Sequence, residues 1–389
     1  MKKVLFCLVL SLRFLGLSSQ EAGPGVTFVK PDSTAVENGI LDAVALIDAR
    51  EVAAARNLLD SLARVSPDND AVCYYLGMCR FNQGDVEGAM KSIEKAAALD
   101  SANVWYRETL ASLYLNTGRT PEALSLYRRL QKERPAKYPD IFINSLAADS
   151  YRLSRDYPAF FKALTALVQD ENADDEMKYS ALMSSLGNFD SRTFNAILPS
   201  LDSLMVRYCE AEPSSLHAHN LRLETAIGRD DSEAVIRECR TLIALQPDDP
   251  GQQVTCLAII GDTYHSLGNE KLAFKTYEEA LKIDPSNCPV LNNYAYYLSQ
   301  RRCRLRKAEK MSRITVEKEP DNATYLDTYG WILYLRGRAA EAKPYFKHAM
   351  IYGGKESAVI LEHYSLVLKK LGEEDLSAYY HNLAESKKK

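Results

Sequence analysis

Between residues 325 and 350 the chain reads YLDTYGWILYLRGRAAEAKPYFKHAM, an amphipathic pattern broken once at Gly337. Apolar residues recur at helical spacing on both sides of that break, so the stretch predicts two helices joined by a short turn. Within it, side-chain size alternates at fixed distances: Gly330 in the first helix, then Ala342, Phe346 and Ala349 in the second. The segment GDTYHSLGNEKLAFKTYEEALKIDP, residues 261–285, repeats the pattern, with Gly261, Gly268, Ala273, Tyr277 and Ala280 under Gly330, Gly337, Ala342, Phe346 and Ala349. Residues 76–100 supply Gly77, Gly84, Ala89, Ile93 and Ala96, and residues 110–135 supply Ala111, Gly118, Ala123, Tyr127 and Pro135. The period is about 34 residues, and each period is one helix pair.

A glycine inside a helix costs about 0.5–1 kcal/mol relative to alanine, so its recurrence needs a compensating contact. A close helix crossing supplies one, because interaxial gaps of about 8–10 Å admit only small residues at the crossing point. The second glycine of each unit falls at the turn, where a positive φ suits glycine, and Pro135 and Pro285 stop the second helix.

This pattern resembles the tetratricopeptide repeat. The best match is 254–287, with Leu257, Ile260, Gly261, Tyr264, Ala273, Tyr277, Ala280 and Pro285 all in place. The resemblance implies an all-α fold, a TPR-type α-solenoid in which antiparallel helix pairs build a right-handed superhelix of nine or ten units. NNYAYYLS, YLDTYGWILY and ILEHYSLVLKKLG are similar to the C-terminal repeats of exported bacterial members. Division along the chain follows from the period: 1–19 a signal peptide, 20–35 a linker, 36–174 an N-terminal array, 175–212 an irregular helical segment, and 213–389 a C-terminal array. The unit at 141–174 has Phe160 where alanine is expected, and those at 213–250 and 288–322 each need an extra residue near the turn.

The same resemblance places the first helix of each unit on the concave side. Its lining would include Tyr74, Met78, Trp105, Glu108, Asp262, His265, Asn292, Tyr296, Asp327, Trp331, Tyr334 and Glu362. Aromatic rings beside amides suit an extended or helical peptide. The members that clamp a terminal carboxylate use Lys and Asn in these helices. Here the corresponding pairs are Ala258/Asp262, Asn292/Tyr296 and Asp327/Trp331, so that partner is not expected.

Composition narrows the function further. A net charge of −4 over 389 residues gives no pull toward nucleic acid or membranes. The basic run RRCRLRKAEKMSR, residues 301–313, lacks interleaved aromatics and reads as a solvated helix face. Residues 4–17, VLFCLVLSLRFLGL, follow Met1-Lys2-Lys3 as an apolar segment too short to span a bilayer, which predicts export and cleavage near Ser19. Loss of Cys7 leaves an odd number of cysteines in helical patterns; a Cys239–Cys256 disulfide would join neighbouring helices.

No catalytic signature or cofactor motif is present. His363 and His381 are equally far from Gly372, with Glu362 beside the first, so a hairpin there could bring them together around a metal. The expectation is a non-enzymatic scaffold of the bacterial cell envelope, periplasmic or secreted, that binds a protein segment without cofactor or metal. The rival readings are a self-assembling structural component and an accessory metal-binding or enzymatic protein using the His363/His381 corner.

Overall fold

The computed structural model describes residues 31–187 and 189–388; the segment expected to direct export, 1–19, lies outside them. Among the described residues there are twenty α-helices and no strand. In chain order the pairs are α1 (Pro31–Asp48) and α2 (Val52–Val65), α3 (Asp70–Asn82) and α4 (Val86–Leu99), α5 (Val104–Asn116) and α6 (Thr120–Glu133), α7 (Asp140–Leu153) and α8 (Tyr157–Val168), and α9 (Asp175–Leu186) and α10 (Ser191–Ala211). There follow α11 (Leu216–Gly228) and α12 (Ser232–Leu245), α13 (Pro250–Ser266) and α14 (Glu270–Ile283), α15 (Cys288–Gln300) and α16 (Leu305–Lys318), α17 (Ala323–Leu335) and α18 (Ala339–Ala349), and α19 (Ala358–Lys370) and α20 (Glu374–Lys387). No helix among them is long and apolar enough to cross a membrane.

Local chemistry sets the starts and stops. Asn69, Asn103, Asn287 and Asn322 cap first helices by accepting backbone N–H bonds, and Asp85, Asp156, Asp231 and Asn269 do the same for second helices. Just before the second helix the chain passes through one left-handed residue. At Gly268 (φ +73°) the N–H donates to the His265 carbonyl at 2.9 Å, and the next N–H, of Asn269, donates to the Tyr264 carbonyl at 2.8 Å. The same two bonds recur at Gly84, Gly118, Gly337 and Gly372, and also at Arg50, Arg155, Asp230 and Arg302, where a side chain occupies the left-handed position. The α9–α10 connection runs from 187 to 190, one residue longer than that of α13–α14, and its left-handed residue Gly187 follows α9 directly. The α11–α12 turn has the same length as that of α13–α14, so no extra residue is needed there. In the α15–α16 turn, Arg304 is a second left-handed residue just before α16, which accounts for the extra residue expected in that unit.

The helix-interior glycines are contact points, as the size alternation requires. A Cβ on Gly261 would lie 2.5 Å from Tyr277 Cε1, one on Gly330 2.8 Å from Phe346 Cε2, and one on Gly77 2.5 Å from Ile93 Cγ1. Phe160, in the slot where alanine was expected, is fully buried, with Phe161 and Phe189 edge-on to it.

Contacts divide the chain into two compact units, one ending at Leu130 and one beginning at Gln131. The boundaries read from the period, at 174/175 and 212/213, do not coincide with that division. Residues 175–212 are integral to the second unit: α9 packs on α7 and α8, and α10 packs on α8 and α11. Likewise α1 begins at Pro31, inside the segment read as a linker to residue 35. The basic run finds carboxylates, with Arg301 3.1 Å from Glu270, Lys307 2.7 Å from Glu278 and Arg313 3.0 Å from Glu309. Cys239 and Cys256 share the core between α12 and α13 as free thiols.

Candidate functional site

In the second unit the first helices α13, α15, α17 and α19 touch one another in succession, and eight of the twelve expected binding residues lie on those helices. Trp331 of α17 lies flat on His363 of α19, with ring centroids 4.0 Å apart and planes 10° apart, and Tyr334 stacks on the same indole at 5.1 Å and 19°. His363 is held in that plane by Asp327, whose Oδ1 is 2.9 Å from its Nδ1. Asp327 is only 4% exposed, so it orients His363 and does not face solvent.

Two repeats earlier the same device appears with different residues. His265 of α13 stacks on Tyr297 of α15 at 3.5 Å and 15°. Asp262 accepts from the hydroxyls of Tyr297 (3.4 Å) and Tyr277 and from the Asn293 amide (3.2 Å). Burial, reinforced by the Asp262 charge, pushes the Tyr297 phenol up to about 12 and that of Tyr277 higher still. In α9 and α11, Tyr179 stacks on His217 at 4.0 Å while Glu176 meets its Nε2 at 3.2 Å. The first unit has its own copy: Tyr74 lies 4.7 Å from the Tyr106 ring, and the Tyr106 hydroxyl donates to Asp70 at 2.9 Å. In all four places a carboxylate and a ring, three or four residues apart on one first helix, grip a single ring on the next.

The expected site residues therefore separate into groups. Asp327, Trp331 and Tyr334 form one cluster, to which the structure adds His363. Asp262 and His265 form a second, to which it adds Asn293 and Tyr297; Tyr296 is half-buried beside Tyr297. Asn292 is 4% exposed and donates to Asn293. Glu362 turns to His381, with Oε2 2.9 Å from Nδ1. In the first unit Tyr74 and Met78 are half-buried, Glu108 is buried, and Trp105 is 62% exposed. The His363/His381 corner is not formed: His363 faces Asp327 and His381 faces Glu362. Tyr106 and Tyr297 are not among the expected residues and His363 is expected only as a metal ligand; each lies 32 positions beyond the ring it packs on, a signal visible once rings at that offset are compared.

Helix pairs with this internal glycine spacing define a helical-repeat protein of the α-solenoid class. Two tetratricopeptide-repeat family models match residues 42–104 and 254–287, so the chain carries tetratricopeptide repeats in those stretches. It is 24% identical over 133 residues to DnaJ protein P58IPK homolog B of Oryza sativa subsp. japonica, which covers 34% of this chain and 25% of the relative. It is 33% identical over 67 residues to a TPR repeat-containing protein of Pseudomonas aeruginosa, covering 17% of this chain and 11% of the relative. The chain thus spans a quarter or less of the length of these relatives. Among solved structures, MamA of Desulfovibrio magneticus RS-1 aligns with 14% identity and a TM-score of 0.38, over 44% of this chain and 93% of that one. The P58(IPK) TPR domain aligns with 16% identity and a TM-score of 0.32, over 87% and 99%.

Proposed function

We propose that the chain is a non-enzymatic protein–protein interaction scaffold of the bacterial cell envelope, exported by its N-terminal apolar segment. It holds an extended or helical segment of a partner protein against the first-helix face of its second unit. The tetratricopeptide-repeat family supports the scaffold role. The observation that carries the surface is the Trp331 indole, half-exposed and already fixed between Tyr334 and His363. A ring immobilised before binding loses little side-chain entropy when a partner covers it, and such aromatic anchors dominate interface energetics. Tyr296 and His265 extend the same kind of surface along α13 and α15. Envelope placement rests on the Lys-Lys start and the short apolar run, and a bacterial relative is in keeping with it.

The test is affinity capture from bacterial envelope extract by the wild type and by the Trp331→Ala, Tyr296→Ala double variant, with circular dichroism to verify that both remain helical. A partner captured by the wild type and lost by the variant is the expected outcome. Equal capture by the two overturns the assignment of the surface, and recovery of the native chain from the cytosolic fraction overturns the envelope assignment.

A further inference from the structure

We propose that Cys209, His219 and Glu238 form a binding site for one divalent transition metal, with zinc the best chemical fit. The three come from successive helices, α10, α11 and α12, and each places a ligand atom within 4.8 Å of the other two. Thiolate, imidazole and carboxylate are the donor set zinc takes, and three protein ligands leave a fourth tetrahedral position for water. The half-exposed side of Cys209 gives that water its access.

A second observation concerns how the ligands are oriented. His219, only 7% exposed, has Nε2 3.0 Å from the carbonyl oxygen of Pro213. A carbonyl only accepts, so Nε2–H is the donor there and Nδ1 is the nitrogen left for a metal. Nδ1 faces Glu238 Oε2 at 2.7 Å, and Glu238 is 5% exposed. The two donor atoms thus already converge on one point, as ligands of a shared ion must. Backbone carbonyls that fix a histidine tautomer are the usual outer partners of metal sites. Glu238 is oriented in the same way, its Oε1 accepting from Arg237 Nε at 3.1 Å. With bond lengths of about 2.0–2.3 Å to nitrogen, oxygen and sulfur, the carboxylate needs only a small withdrawal from Nδ1 to admit the ion.

Burial and the neighbouring Glu238 charge push the Cys209 thiol up to about 12, so it is protonated while no metal is bound. Binding replaces the S–H bond with a sulfur–metal bond and releases that proton to solvent, together with any proton held on Nδ1. The ion would pin three consecutive helices.

The experiment titrates the reduced, chelator-treated full chain with cobalt(II) as a spectroscopic probe, followed by zinc(II) in competition. One equivalent of cobalt should give a thiolate-to-cobalt charge-transfer band that zinc removes. Cys209→Ser, nearly isosteric and half-exposed, should abolish the band while the protein stays folded. Glu238→Gln should weaken binding about tenfold or more. His381→Ala, which disrupts the exposed Glu362–His381–Glu385 cluster, should leave the band unchanged. Absence of the band, its persistence in Cys209→Ser, or its loss in His381→Ala overturns the proposal.

Discussion

The α11–α12 and α13–α14 hairpins have turns of the same construction yet pack by opposite distributions of bulk. Counted from the left-handed residue of the turn, Gly261 and Tyr277 in α13–α14 occupy the positions of Leu223 and Cys239 in α11–α12. Tyr277 fills the groove that Gly261 leaves open. In α11–α12 the large residue stands on the first helix, the small one on the second, and both belong to one core cluster. What the fold preserves is the summed volume at the crossing, as close-packed interiors require. The two hairpins also differ beside that crossing. Next to Leu223, Arg222 is 4% exposed and bonds the buried Asp202 of α10, which also takes Arg229. In α13 it is the residue on the other side of the crossing, Asp262 after Gly261, that makes the polar contacts, to neutral hydroxyls and an amide. One junction is closed by paired charges and the other by rings.

The sharpest way to separate them is to remove one charge. Asp202→Ala leaves the buried Arg222 guanidinium with only the Asp231 carboxylate, 3.9 Å away and half-exposed, and breaking a buried pair in this way costs about 3–5 kcal/mol. The expected result is a large drop in thermal stability, with loss of amide-exchange protection concentrated in α10 and α11. A change within about 0.5 kcal/mol, the range of ordinary surface substitutions, would show that the charged layer does not hold that junction.

A smaller effect is expected from Gly261→Ala. The added Cβ meets three Tyr277 ring atoms at 2.5–2.9 Å, and the ring cannot swing away because it is fully buried and its hydroxyl is held by Asp262. Overpacking costs about 1–3 kcal/mol, and the better helix propensity of alanine recovers about 0.5–1 of it. Exchange protection in α13 and α14 should fall accordingly. Gly261→Leu combined with Tyr277→Cys, which copies the neighbouring hairpin, should cost less than the two single changes added together. Strict additivity would break the claim that volume is shared across the crossing.

The sequence made the repeat legible because glycine opposite an aromatic leaves an unmistakable spacing; Gly261/Tyr277 and Gly330/Phe346 needed no coordinates. Leu223/Cys239 conveys the same contact in residue types any helix could carry. Legibility fails again where a side chain answers to a neighbouring repeat. Asp327 reads as a solvent-facing helix residue until His363, 36 positions on, is seen bonded to it. Asp262 and Asn292 present the same difficulty. The His363/His381 corner failed for a related reason: equal distance from a turn does not put two residues on one face, and each imidazole had a nearer carboxylate. Arg222, Asp202 and Glu238 carry no sign of burial in the sequence, because it depends on how α10, a 21-residue helix longer than the repeat's usual second helix, packs on its neighbours.

The smallest effect concerns the turn itself. Gly268 and Asp230 occupy the same left-handed position, at φ +73° and +54°, and both donate their N–H to a carbonyl of the preceding helix. A left-handed conformation costs an L-residue about 1–2 kcal/mol, less for aspartate, whose short side chain bonds locally. A Cβ at Gly268 would meet nothing within 4 Å, so the backbone term stands alone there. Gly268→Asp should therefore destabilise α13–α14 by about 1 kcal/mol or less, and Asp230→Gly should stabilise α11–α12 by a smaller amount, because glycine also loosens the unfolded chain. Opposite shifts in local exchange protection are the expected pair of results. If both substitutions destabilise, Asp230 contributes something at its turn beyond tolerating the conformation, and the two hairpins differ at the turn as well as at the crossing.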